Sequence, residues 1–190
     1  MSQQVSPNHV YVVFSAPIIP ATANALMSVL ADCANQGVTG VTLLLATPGG
    51  SVAVGMHLYS LLRGMPFELT THNTGDVGSI ANLLYLAGET RLTVRHGVFN
   101  FHGVGFDMKD GQRLEEKDIM EKLNGLHKDQ DRIGNVFVER TRLTQEEARQ
   151  LFAQASTKDA NWAVDKGFST TIGDVSVPPG AKVFNIGHKA

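Results

Sequence analysis

A chain of 190 residues with 43% hydrophobic content is long enough to bury one sizeable core. No Pro/Ser-rich linker or low-complexity run divides it, so residues 1–190 are expected to form a single domain. The 18 acids against 16 Lys plus Arg, net charge −2, exclude the basic footprint of a nucleic-acid binder; with no apolar run near the ~20 residues of a membrane span and no signal-peptide pattern in the polar opening, Met1 to His9, a cytoplasmic protein without a membrane partner is expected.

The apolar run at 10–14 has strand length, and Leu26, Val29, Leu30 and Cys33 then recur at helical spacing before Gly37 closes the helix. Cys33 reads as a buried structural thiol, and one cysteine allows no internal disulfide. A second buried-type strand is expected at 41–46, then a Pro48-Gly49-Gly50 turn and an amphipathic helix through Val54, Leu58, Leu61 and Leu62. A third strand at 67–71 leads into a glycine-bounded turn at 75–79 and a short, nearly all-apolar helix at 80–87 that reads as buried. Strands alternating with helices predict parallel pairing, right-handed crossovers and ligands at the carboxyl ends of strands, where both glycine turns fall.

Short strands are expected at 91–94 and 98–101. Residues 114–142 read as one long charged helix with Ile119, Leu123, Leu126, Ile133 and Phe137 along a stripe, which meets either another subunit or the chain's own core. Thr144 with Glu147 forms a capping box that starts another helix, and Asp159, Trp162, Ala163 and Val164, closed by Gly167, mark a last short one. Trp162 reads as a core or interface anchor.

The chemistry-bearing residues are Ser79, set on a glycine turn at a helix start, and His102 at a strand end. A hydroxyl is a poor nucleophile at neutral pH without a base in reach, and a sharp turn can expose it to both base and substrate. Attack on a carbonyl by Ser79, with its proton taken by His102, needs two backbone donors for the oxyanion; Ile80, the residue after the nucleophile, and Gly50 on the neighbouring turn are the candidates. Neither a Cys/His ligand cluster nor a His-Glu-x-x-His motif is present, and the glycines form no phosphate-cradling or dinucleotide motif, so no metal and no cofactor are expected.

Several motifs occur in one order: Ala46-Thr47-Pro48-Gly49-Gly50-Ser51, Gly55-Met56, Gly75-Asp76-Val77-Gly78-Ser79-Ile80-Ala81, Leu86-Ala87-Gly88, Asn100-Phe101-His102 and Trp162-Ala163-Val164-Asp165-Lys166-Gly167. With these the chain, from Val10 to about Val175, resembles the ClpP family of serine peptidases, the proteolytic subunit of the Clp protease. The resemblance implies a ClpP/crotonase-like α/β fold of repeated β-β-α and βα units, with the long helix protruding as a handle where rings meet. It implies a homo-oligomeric ring cleaving peptides or unfolded polypeptides, with Ser79 as nucleophile, His102 as general base, and Gly50 and Ile80 as oxyanion-hole amides.

The chain departs from that family in its third triad member, an Asp twelve residues before the glycine that corresponds to Gly167; position 155 is alanine. Asp159 is one substitute, with an N-cap as its other reading, and Gln154, Ser156 or water are further groups to hold the imidazole. With only nine residues ahead of the first strand, the short N-terminus counts against docking of an ATP-driven unfoldase. Two other readings stand beside the peptidase: a catalytically silent homologue serving as a ring or scaffold subunit, and a crotonase-like acyl-CoA enzyme, since that fold shares the paired-amide oxyanion hole.

Overall fold

The apolar runs of the first half become the strands of one mostly parallel sheet. The computed structural model describes residues 8–105 and 113–187; residues 1–7, most of the polar opening, lie outside them. In chain order the elements are β1 (His9–Ser15), α1 (Pro20–Asn35), β2 (Gly40–Thr47), α2 (Val52–Gly64), β3 (Glu68–Gly78), α3 (Ala81–Leu86), β4 (Thr90–Thr93), β5 (Val98–Asn100), α4 (Glu116–Arg140), α5 (Gln145–Ala153), β6 (Thr157–Asp159), α6 (Ala160–Asp165), β7 (Thr171–Ile172) and β8 (Lys182–Gly187). The sheet has 8 strands along the path β6-β5-β3-β2-β1-β8, with β4 on β3 and β7 on β4. Every pairing is parallel except β5 with β6. None of the described helices is long and apolar enough to cross a membrane.

Burial explains the order. In β1, Val10, Val12 and Phe14 face the core, the alternation of a strand covered more fully on one side, whereas β2 is buried along almost its whole length, as a central strand must be. β3 is longer than the apolar run predicts: residues 75–78 are strand rather than turn. A chain this rich in glycine stays extended there because Asp76, Val77 and Gly78 pair with Val98, Phe99 and Asn100 of β5. The turn itself is confined to Ser79 and Ile80, and α3, whose six residues are all buried, begins at Ala81. The short strands β6 and β7 have no apolar run of their own and owe their form to the ladders they join, whereas β8 brings Val183, Phe184 and Ile186 alongside β1.

Below the site lies an aromatic cluster. Phe101 meets Phe137, Trp162 and Phe168 edge-on at 5.7, 5.8 and 5.7 Å, and Phe99 packs on Tyr85 and Phe168 at 5.0 and 5.2 Å. These rings join β5 to α3, α4 and α6, so the strand leading to His102 sits on a rigid base. Arg91, 8% exposed, crosses behind them and donates to the carbonyls of Gly88, Arg140, Gly167 and Phe168. The two readings of the long helix divide along its length: Ile133, Val136 and Phe137 are buried on the chain's own core, while Ile119, Met120 and Leu123 are exposed. Cys33 is buried, as expected, and burial pushes its thiol up.

Gly55 on α2 faces Ile80, and a Cβ there would overlap the isoleucine side chain. Gly55→Ala is expected to destabilise the fold by about 1–3 kcal/mol through overpacking, measured as a lower urea midpoint at unchanged slope; an unaltered midpoint would show that Ile80 gives way freely.

Candidate active site

Two strand ends meet closely enough to exclude side chains. After a register shift between Leu45 and Thr47, β2 and β3 stay paired to Thr47↔Val77, which carries the Pro48-Gly49-Gly50 turn alongside Gly78 and Ser79. A Cβ on Gly49 would lie 2.6 Å from the Gly78 carbonyl oxygen and 2.8 Å from Ser79 Cβ, and the backbone at Gly49 has φ +94°. Only glycine satisfies both demands. The turn is pinned from its other side: Ile18 N–H donates to the Gly49 carbonyl at 2.7 Å, and Ser51 N–H to the Ile18 carbonyl at 2.9 Å.

Ser79 has φ 55°, a left-handed conformation that costs a non-glycine residue about 1–2 kcal/mol. Its N–H donates to the Asn100 carbonyl at 2.8 Å, which ties the turn to the end of β5. Ser79 and His102 line the same inner cavity of about 260 Å³, together with Gly50 and Ile80. Among the described residues neither the Gly50 nor the Ile80 amide donates a hydrogen bond. The four residues singled out in the sequence thus share one cavity, with two amides uncommitted. Ser79 and His102 make no hydrogen bond to each other; His102 is exposed, and its Nδ1 lies 2.8 Å from the Gly103 carbonyl oxygen. A carbonyl only accepts, so Nδ1 is the donor in this contact, and in the neutral ring Nε2 keeps the lone pair that a general base requires.

Among the described residues, no carboxylate is hydrogen-bonded to the His102 imidazole. β5 and β6 pair Asn100 with Thr157, and Phe101 N–H donates to the Ser156 carbonyl at 2.8 Å; Ala155, at φ 46°, is the next residue beyond that contact. Asp159 pairs with Val98, four positions and about 13 Å along the strand. Its carboxylate accepts from Trp162 N–H at 2.8 Å, so Asp159 is the N-cap of α6 and not a partner of His102. Gln154 is exposed, and the buried Ser156 hydroxyl has no hydrogen-bond partner among the described residues.

The rest of the inner cavity is apolar, with Val52, Phe101, Val104, Ile133, Phe137 and Phe152 in its walls. Ile133, Phe137 and Phe152 come from α4 and α5, far along the chain, and nothing in their spacing marks them as site residues. Asn82 was also hidden in the sequence. Its signal is a polar residue in the middle of the apolar run at 80–87, and the structure buries it completely beside Ser79.

Comparison with known proteins bears on the family and the fold. The Clp protease family matches residues 6–176. The ATP-dependent Clp protease proteolytic subunit of Nephroselmis olivacea is 28% identical over 102 residues, 53% of this chain and 47% of that protein. The match therefore spans about half the length of that relative. Among solved structures, a ClpP1 mutant from Listeria monocytogenes superposes with a TM-score of 0.75 over 87% of this chain and 91% of its own, at 18% identity, which establishes likeness of fold.

The contact with Gly103 fixes an observable. Nitrogen-15 NMR is expected to show the neutral His102 ring protonated at Nδ1, with Nε2 bare; the opposite tautomer would mean that the Gly103 carbonyl does not hold the ring.

Proposed function

The chain belongs to the Clp protease family, and from that premise we propose that it is a serine peptidase that cleaves peptide bonds through an acyl-enzyme on Ser79. The observation that carries this reading is the free Ser79 hydroxyl, on a strained turn, in one cavity with His102 and two undonated amides. In this mechanism Ser79 Oγ attacks the scissile carbonyl carbon as His102 Nε2 takes the hydroxyl proton. The oxygen that gains the negative charge is bound by the Gly50 and Ile80 N–H groups; one such donor is worth about 3 kcal/mol to the transition state. As the C–N bond breaks, His102 returns its proton to the leaving amine. Water then attacks the ester, giving a proton to Nε2, and as the acyl C–O bond breaks that proton passes to Ser79 Oγ, releasing the acid and restoring both residues.

The apolar walls of Val104, Ile133, Phe137 and Phe152 favour a substrate with an apolar side chain next to the scissile bond. The reading includes self-assembly into a ring, supported by the exposed Ile119, Met120 and Leu123 on the free half of α4. No cofactor takes part in it. In this reading the neutral Gly103 carbonyl, hydrogen-bonded to Nδ1, does the work of a triad carboxylate, keeping the tautomer but offering less to the imidazolium that forms. Loss of the acidic member of a triad costs ~10⁴ in turnover, against ~10⁶ for the nucleophile or base. A Ser79–His102 dyad is therefore slow but active.

A fluorophosphonate probe is expected to label the intact protein and to leave Ser79→Ala unlabelled, with His102→Ala labelled many orders of magnitude more slowly. Absence of labelling in the assembled wild-type protein would overturn the proposal.

Ala155 favours a second reading, a silent homologue retained as a ring subunit. Ala155→Asp separates the two. Aspartate tolerates the left-handed backbone at 155 better than alanine does, and for a working dyad it is expected to raise peptide turnover by more than about tenfold, toward the ~10⁴ that the carboxylate contributes in a complete triad. A wild-type protein without turnover, silent also as Ala155→Asp, would support the scaffold.

A further inference from the structure

Asn82 is completely buried in the first turn of α3, among apolar neighbours. Its side-chain amide donates twice, to the Ser79 carbonyl at 2.9 Å and to the Asn100 carbonyl at 3.0 Å. The same Asn100 carbonyl accepts the Ser79 N–H, and the Asn100 side-chain oxygen accepts from Thr157 Oγ1 at 2.7 Å. One planar amide thus spans the backbone of the nucleophile turn and the strand that ends two residues before His102, and the chain of bonds continues to β6.

The remaining atom of that side chain points away from a stability role. Asn82 Oδ1 is buried with no hydrogen-bond partner among the described residues, a loss that an alanine or leucine at 82 would avoid. What Asn82 does contribute is directional. At φ 55° the Ser79 carbonyl is turned toward Asn82, which holds it through both N–H and Nδ2, at 3.1 and 2.9 Å. Relaxation of Ser79 to an ordinary backbone conformation would swing that carbonyl off the amide and carry the hydroxyl out of line with the Gly50 and Ile80 N–H groups.

We infer that Asn82 is a positioning residue, which locks the left-handed turn of Ser79 to the strand of His102 so that hydroxyl, imidazole and amides keep one geometry. This rests on the peptidase reading above. It places the effect of Asn82 on the chemical step, because Asn82 is not among the residues that line the cavity.

The test uses the full chain and a fluorogenic peptide with an apolar residue at the scissile bond, with Asn82→Ala and the isosteric Asn82→Asp, whose carboxyl, held protonated by burial beside two carbonyls, donates to one of them at most. Both variants are expected to lose ten- to hundredfold in kcat with KM changed less than twofold, and to react with fluorophosphonate more slowly by the same factor. Should the variants not fold, the wild-type protein still decides: both Asn82 Nδ2 protons are expected to exchange with solvent far more slowly than those of exposed amides. Folded variants with wild-type kcat, a loss that falls on KM, or rapid exchange of those protons would overturn the inference and leave the peptidase reading intact. A wild-type protein that neither labels nor turns over would overturn both.

Discussion

The contact on which the site depends is the one between two strand-end loops, Pro48-Gly49-Gly50 and Gly78-Ser79. At 2.6 Å from a neighbouring carbonyl oxygen, the space beside Gly49 admits no side chain. That approach sets the Gly50 amide beside the turn that carries Ser79 and Ile80, and so assembles donors from two separate strands around one hydroxyl. A parallel sheet is what makes the approach possible, since neighbouring parallel strands end at the same edge and release their loops side by side. The register shift between Leu45 and Thr47 supplies the local adjustment that keeps β2 and β3 in step to their ends.

Strain at Ser79 is held by its surroundings rather than by its own preferences. Its N–H is committed to Asn100 and its carbonyl to Asn82, Gly49 packs against its Cβ, and α3 behind it is wholly buried. The aromatic cluster beneath β5 resists movement of the opposite wall, because Phe99 and Phe101 each touch rings on other elements. Catalytic geometry on the chemical side and packing on the structural side are thus one network, with Asn100 as the shared node. The imidazole stands outside it: His102 is exposed, and among the described residues its hydrogen-bond anchor is the carbonyl of the next residue.

Much of this was legible in the amino-acid sequence, and the misses have physical causes. The first strands and helices were readable because their burial imposes a period, and the glycine turns brought Ser79, Gly50 and Ile80 forward as candidates. The extension of β3 to Gly78 was not, since residues 75–78 carry few apolar side chains and their strand form comes from the partner β5. The same holds for β6, whose Thr157-Lys158-Asp159 is a strand through pairing with β5; β7 and β8 were passed over although Thr171, Ile172, Val183, Phe184 and Ile186 favour strands. Asp159 was ambiguous in sequence between N-cap and triad member, and only the antiparallel register of β5 and β6 separates it from His102. The cavity walls from α4 and α5 converge from positions distant in the chain, which no local spacing records.

The central claim is that the Gly50 and Ile80 amides and the Ser79 hydroxyl act together on a tetrahedral centre. Its most direct measurement is a crystal structure of the protein soaked with a peptide boronic acid. The account predicts boron bonded to Ser79 Oγ, with one boronate oxygen within hydrogen-bond distance of both amides and the other facing His102 Nε2. A boronate bound elsewhere, or a Ser79 adduct whose oxygens point away from Gly50 and Ile80, would contradict it.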